Sequence, residues 1–275
     1  MGVLDGKAAI VTGSARGIGR ATAELLAEHG ARVLINDLDA DVAKQAASEI
    51  AGETTVFGGD LTQRGVPDQL VQQAVDEFGR IDIIVNNAGY TWDGVAHKMT
   101  DEQFQAMLEI HTVVPFRIIR AAAPHMREPA KAEREQGQEV FRKIVSVTSI
   151  SGTMGNAGQV NYSAAKAGVV GLTKTLAKEW GQFKVNVNAV AFGFVETRLT
   201  AAKEEGGTIE MEGKEIQLGI PEQMRAMAAM MIPLGRPASP EEAAGPVFFL
   251  CSPWSNYVHG QVLNVTGGQF GGMYI

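Results

Sequence analysis

The chain has 275 residues, 45% hydrophobic, 7% aromatic and 20% charged, with a net charge of −7 at pH 7 and a pI near 5.3. This is an ordinary globular composition with enough apolar material for one large α/β domain, and its acidic balance argues against a nucleic-acid surface, which needs clustered basic residues. No membrane span is expected, no basic-then-apolar leader opens the chain, and the one cysteine, Cys251 in the apolar run "VFFLCSP", reads as a buried structural thiol in a soluble, cytoplasmic protein without disulfides.

Short β-branched runs alternate with longer helical patterns. "AAIVT" (8–12), "RVLIND" (32–37), "TTVFGG" (54–59), "IDIIVN" (81–86), "KIVSVT" (143–148), "VNVNAVA" (185–191) and "QVLNVT" (261–266) read as seven strands. Several are apolar at nearly every position, as strands buried on both faces are. Between them, helices are predicted over Ile18–His29, Ala40–Ala51, Val66–Phe78, Thr100–Met126, Asn161–Trp180 and Glu241–Leu250. "TDEQ" (100–103) and "SPEE" (239–242) have the spacing of the capping box, the second with proline at the first helical position. Unbroken strand–helix alternation predicts a single Rossmann-type domain over 1–275, a doubly wound parallel sheet with helices on both faces. Two segments break the rhythm. Residues 127–143 are highly charged and read as a solvated helix extension or loop. Residues 199–233 carry five of the 11 methionines (Met211, Met224, Met227, Met230 and Met231) and read as a substrate lid, the alternative being plain packing or a subunit contact.

After the first strand, "TGSARGIG" (12–19) leads straight into a helix. Gly13, Gly17 and Gly19 allow a tight turn and close approach of a pyrophosphate, whose charge the helix N-terminus meets. Asp37 ends the second strand 18 residues beyond Gly19, close to where a carboxylate meets the adenosine ribose. It would repel a 2′-phosphate, whereas Arg16 in the loop would attract one. Because Asp37 ends the strand, NAD is the expected cofactor, with NADP as the alternative.

A third feature is "SVTSISGTMGNAGQVNYSAAKAGVVGLT" (146–173), with Tyr162 and Lys166 four apart and Ser149 upstream. The pair alone is weakly specific. Together with "TGSARGIG" and "NNAG" (86–89), however, "YSAAK" (162–166) makes the chain resemble the short-chain dehydrogenase/reductase family from about residue 5 to 268. The resemblance implies a nicotinamide-dependent oxidoreductase. Asp60 and Leu61 would contact adenine, Asn87, Ala88 and Gly89 would line the cofactor channel, and Val195 and Thr197 would bind the carboxamide. With Gly13, Arg16, Gly17, Ile18, Gly19 and Asp37, these form the expected cofactor set, to which Tyr162 and Lys166 also belong. A phenol is a poor base at neutral pH. The Lys166 ammonium and an oxidised nicotinamide are expected to lower its pKa, a shift of ~2–3 units needing roughly 3–4 kcal/mol. Tyr162 would then serve as general acid/base while Ser149 polarises the substrate carbonyl.

Two positions depart from the family pattern. His111, in "IHTVV" (110–114), stands where the family has an asparagine that helps hold a water connecting the lysine to solvent. Imidazole can both donate and accept, so His111 is a relay candidate with a pH dependence of its own, or a satisfied structural histidine. Phe192 replaces the usual proline and either stacks near the nicotinamide or packs. Substrate contacts are expected from Trp92, Met154, Gln159, Phe194 and the 199–233 segment. They suit a medium-sized apolar ketone about as well as a 3-oxoacyl thioester, and the surrounding sequence looks like members labelled 3-oxoacyl-(acyl-carrier-protein) reductases. No spacing of Cys, His or Asp predicts a metal. The resemblance also implies a homotetramer, with a non-catalytic nucleotide sensor as the rival reading.

Overall fold

The computed structural model describes residues 2–203, 207–211 and 214–269. The seven predicted strands form one parallel sheet: β1 (Ala8–Val11), β2 (Arg32–Asp37), β3 (Thr54–Gly58), β4 (Ile83–Asn86), β5 (Arg142–Ser149), β6 (Val185–Phe192) and β9 (Val262–Val265), in the order β3-β2-β1-β4-β5-β6-β9. β1, β4 and β6 are buried at every residue; β1 and β4 run apolar without alternation as far as Asn86, whereas β6 buries Asn186 and Asn188 by letting their side-chain amides donate to the Val258 carbonyl. The order reverses between β1 and β4, the switch point outside which an open α/β sheet binds ligands.

Helices cover both faces. On one side lie α3 (Val66–Phe78), α5 (Val114–Glu135) and α7 (Val160–Trp180), with Leu70, Ile118, Met126 and Trp180 in the core. On the other lie α1 (Gly17–Glu28), α2 (Ala40–Glu49) and α9 (Pro240–Cys251), with Leu26, Ala43 and Val247. Cys251 is buried there and its thiol is pushed up to about 12 by burial, so it is the structural residue expected. Phe192 packs into the same core. Both capping boxes form, at Thr100/Gln103 on α4 (Asp101–Leu108) and at Ser239/Glu242 on α9.

Three regions differ from the sequence expectation. The helix predicted over Thr100–Met126 is broken: α4 gives way to a single π-helical turn, Glu109–Val113, before α5 begins. Periodicity misses this because one inserted residue shifts an apolar face by only a fraction of a turn. The charged segment continues α5 to Glu135 and is anchored rather than merely solvated. Arg142 pairs with Glu133 through two bonds of 2.7 and 2.8 Å, and Arg127 lies over the Trp180 and Phe183 rings. Finally, the segment at 199–233 holds an antiparallel hairpin, β7 (Thr208–Met211) and β8 (Lys214–Gln217), followed by α8 (Glu222–Met230). Ile216 and Leu218 are buried while Met227, Met230 and Met231 are exposed. The side chains of Met211 and Met224 lie outside the described set.

Candidate active site

The glycine loop closes the C-terminal edge of β1. Gly13 has φ +60° and Gly17 φ +53°, values that favour glycine, and a Cβ on Gly13 would lie 2.8 Å from the Ala88 Cα. Asn87 Nδ2 donates to the carbonyls of Thr12 (2.9 Å) and Gly13 (3.0 Å). The Asn87 and Ala88 amides both donate to Thr12 Oγ1 at 3.0 Å. Asn87 and Ala88 thus hold the loop in shape. Arg16 occupies the N-cap of α1 without a side-chain capping bond, so the first-turn N–H groups of α1, which include those of Ile18 and Gly19, face the loop uncapped by a side chain. These residues fit a dinucleotide pyrophosphate.

Asp37 lies at the end of β2 and accepts from the Asp39 amide at 3.3 Å. Burial raises its carboxyl, while that amide and Arg16 pull it down. Arg198, which the sequence reading did not single out, feels both Arg16 and Asp37 and donates to the Thr208 carbonyl of β7 at 3.2 Å. Thr197 stands over the loop, its Cγ2 3.5 Å from where a Gly17 Cβ would be, and Val195 beside it is buried. Asp60 accepts from the amide and hydroxyl of Thr62 at 2.9 and 2.7 Å, and the Leu61 side chain is in the core, leaving its backbone for any adenine contact.

The expected reactive group assembles where β5 meets α7. Ser149 is the last residue of β5, and its Oγ accepts from the Ser151 amide at 3.1 Å. Its hydroxyl is near enough to the Tyr162 phenol to favour the ionised form. The fully buried Asn161 fixes the start of α7: its Nδ2 donates to the carbonyls of Trp92 (2.9 Å) and Gln103 (3.0 Å), and its Oδ1 accepts from the Tyr162 amide at 2.8 Å. Lys166, one helical turn on, lies 5.5 Å from the Tyr162 ring centroid and donates to the Val147 carbonyl at 2.8 Å. The i, i+4 spacing therefore puts both side chains at one spot.

The electrostatics run against one expectation. Burial pushes the Tyr162 phenol up to about 12, and the Asp93 carboxylate adds to this, while the Ser149 hydroxyl opposes it. Burial also brings Lys166 down to about 7, which weakens the lowering its ammonium was expected to supply. The protein by itself keeps Tyr162 protonated.

His111 sits in the π-helical turn, its ring edge-on to Tyr162 at 5.1 Å between centroids. Its Nε2 is 2.8 Å from the Tyr90 carbonyl, an acceptor, so the proton is on Nε2. Its buried Nδ1 has no partner among the described residues. A Cβ on Gly89 would lie 2.2 Å from the His111 ring, so glycine is what lets the imidazole in. Burial and the Lys166 charge hold His111 well below the ordinary histidine range, so it stays neutral and has no titration of its own near pH 7.

Among the expected substrate residues, Trp92 follows β4 and packs partly against the core. Met154 ends the short helix α6 (Ser151–Met154) and is exposed, and Phe194 lies just beyond β6. Gln159 is the N-cap residue of α7 and is already engaged: its Nε2 donates to Asp93 (2.9 Å), and its Oε1 accepts from Ser151 (3.2 Å) and Asn156 (3.0 Å). Asp93 did not stand out in the sequence, where a carboxylate four residues past Gly89 looks like loop solvation.

The family profile described as "Enoyl-(Acyl carrier protein) reductase" matches residues 13–269. A 3-oxoacyl-[acyl-carrier-protein] reductase of Thermotoga maritima is 37% identical over 268 residues, covering 96% of this chain and 98% of its own. Its Vibrio cholerae counterpart is 38% identical over 267 residues, covering 97% and 98%. An uncharacterized oxidoreductase of Mycobacterium tuberculosis is 36% identical over 270 residues, covering 98% of each chain.

Proposed function

The chain belongs to the short-chain dehydrogenase/reductase family and is an oxidoreductase acting on CH–OH groups with a nicotinamide cofactor; from this we propose that it reduces a 3-oxoacyl thioester, or a medium-sized apolar ketone, to the secondary alcohol. The observation carrying this reading is the convergence of Ser149, Tyr162 and Lys166 at the C-terminal edge of the sheet. The names of the similar reductases favour the thioester.

When bound, the cofactor supplies the hydride. Ser149 donates to the substrate carbonyl and polarises it. Tyr162, held protonated by burial, gives its proton to the same oxygen as general acid. Among the described residues Lys166 makes one hydrogen bond, to the Val147 carbonyl, and it offers its remaining N–H groups to a cofactor hydroxyl. His111 acts as a neutral positioning residue against the Tyr162 ring, and its Nδ1 can accept from a buried water leading to Lys166.

Asp37 at the β2 end favours NADH, since it accepts from ribose hydroxyls and repels a 2′-phosphate. A second reading, NADPH, is favoured by the two guanidinium groups of Arg16 and Arg198 flanking that carboxylate. The 199–233 hairpin and helix act as the lid in either case. A homotetramer is part of the same reading, with the exposed Trp254, Tyr257 and Leu263 among the residues available to subunit faces. The test is oxidation of NADH and, in parallel, NADPH with acetoacetyl-CoA, a β-keto ester, a diketone and a bulky aryl ketone. Turnover with NADH supports the Asp37 argument, and turnover only with NADPH assigns control to the arginines. No turnover with either, while the cofactor binds, overturns the reductase reading in favour of a sensor.

A further inference from the structure

The loop after β4 brings a second acidic group into this cleft. Asp93 lies at its solvent-open rim, and its carboxylate is gripped by Gln159 Nε2 at 2.9 Å. Gln159 is itself held by Ser151 and Asn156, and the backbones of the two loops are joined where the Gly94 amide donates to the Gly158 carbonyl at 2.8 Å. Asn161 ties the same loop to α7 through the Trp92 carbonyl, one residue from Asp93 and one from Tyr162. Asp93 is therefore a carboxylate in a fixed place rather than a freely swinging surface acid; desolvation raises its carboxyl, the Gln159 hydrogen bond opposes this by favouring the ionised form, and its charge in turn raises the Tyr162 phenol. No residue with which Asp93 forms an ion pair stands among the described residues.

We propose that Asp93, held by Gln159, is a specificity-determining residue that excludes substrates bearing negative charge beside the reacting ketone. The inference rests on the carbonyl-reductase reading and narrows it. A 3-oxo acid joined as a thioester or ester is neutral at C1, whereas the free 3-oxo carboxylate places a negative charge two carbons from the ketone. With the ketone oxygen between Ser149 and Tyr162, that charge would lie in a cleft whose rim already carries a fixed carboxylate. In a partly desolvated cleft, like charges repel, and a penalty on binding of about tenfold is expected. The reductase then acts on activated acyl groups and leaves the corresponding free acids alone.

Ethyl acetoacetate and acetoacetate test this, since they share the acyl unit and differ in charge at C1. The wild-type enzyme is expected to favour the ester. In both Asp93→Asn and Asp93→Ser the ratio of kcat/KM for ester over acid should fall by about tenfold. Two neutral replacements of different shape separate charge from packing, and NADH binding followed by fluorescence reports that each variant is folded. A pH profile adds a readout that a structural role would not move. The charged or titratable groups around Tyr162 are Lys166 on its own helix, neutral His111 in the π-helical turn and Asp93. Removing the Asp93 charge should shift the Tyr162-dependent limb to lower pH. An unchanged ratio with an unmoved limb overturns the proposal. So does equal loss on both substrates, which would mark Asp93 as structural. If the wild type turns over neither compound nor any other ketone, the reductase reading itself fails, an outcome distinct from a wild type active on ester and acid alike.

Discussion

Strand β5 has a buried lysine ammonium at each end, and the two have different work. At its start, Lys143 donates to Asn186 Oδ1 (3.1 Å), Ser255 Oγ (3.2 Å) and Asn256 Oδ1 (2.8 Å), which uses all three of its N–H groups. At its finish, Lys166 donates to the Val147 carbonyl and stands beside Tyr162. Burial lowers both, Lys143 to about 8 and Lys166 to about 7. A lowered pKa therefore does not separate a structural lysine from a reactive one. Hydrogen-bond satisfaction does: Lys143 is saturated and holds β5, β6 and the segment after α9 together, while Lys166 keeps donors free for a ligand.

The sharpest way to break that contrast is at the reactive end. Tyr162→Phe should lower turnover by about 10²–10⁴-fold with NADH binding retained, measured by steady-state kinetics and cofactor fluorescence. Lys166→Met should lower turnover by about 10²-fold and also weaken cofactor binding, because its spare donors are lost. Lys143→Met should do neither. It should instead cost about 1–3 kcal/mol of stability in denaturant unfolding, since Asn186, Ser255 and Asn256 lose their donor.

The pH dependence of stability sharpens the comparison further. The folded-state pKa of Lys143, about 8, lies below the free lysine value of 10.5, so above about pH 8 the unfolded chain holds more protons than the folded one. Lys143 therefore contributes a gain in stability as pH rises between these values, with a slope of at most about 1.4 kcal/mol per pH unit. Subtracting the Lys143→Met profile from that of the wild type isolates it; a flat difference between pH 8 and 10 would show that Lys143 does not titrate there. The smallest effect is expected at His111. His111→Asn should keep turnover within about threefold, and His111→Leu should lower it about tenfold, if the lone pair on Nδ1 is what matters. Between pH 5 and 8 the wild-type rate should show no histidine limb, because His111 stays neutral.

Much of the molecule was legible in its residues. The seven strands lie within about two residues of the apolar runs, and both capping boxes stand where a hydroxyl residue precedes glutamine or glutamate by three. These features depend on near neighbours, so local pattern carries them. The cofactor loop and the Tyr162–Lys166 pair were legible for the same reason: a turn and one helical face are short-range objects.

What the sequence by itself determined is the doubly wound fold and its family, and it named the residues of the proposed reactive group. The tertiary structure decided what depends on distant partners. It inserted the π-helical turn at His111, where Gly89 leaves room for an imidazole. It docked the charged segment through Arg142 and Phe183. It paired Thr208–Met211 with Lys214–Gln217, brought Arg198 within electrostatic reach of Asp37 and brought Asp93 within reach of Tyr162. It also buried the Tyr162 phenol, which in the protein alone pushes its pKa up to about 12, because desolvation depends on everything packed around a group and not on its neighbours in sequence.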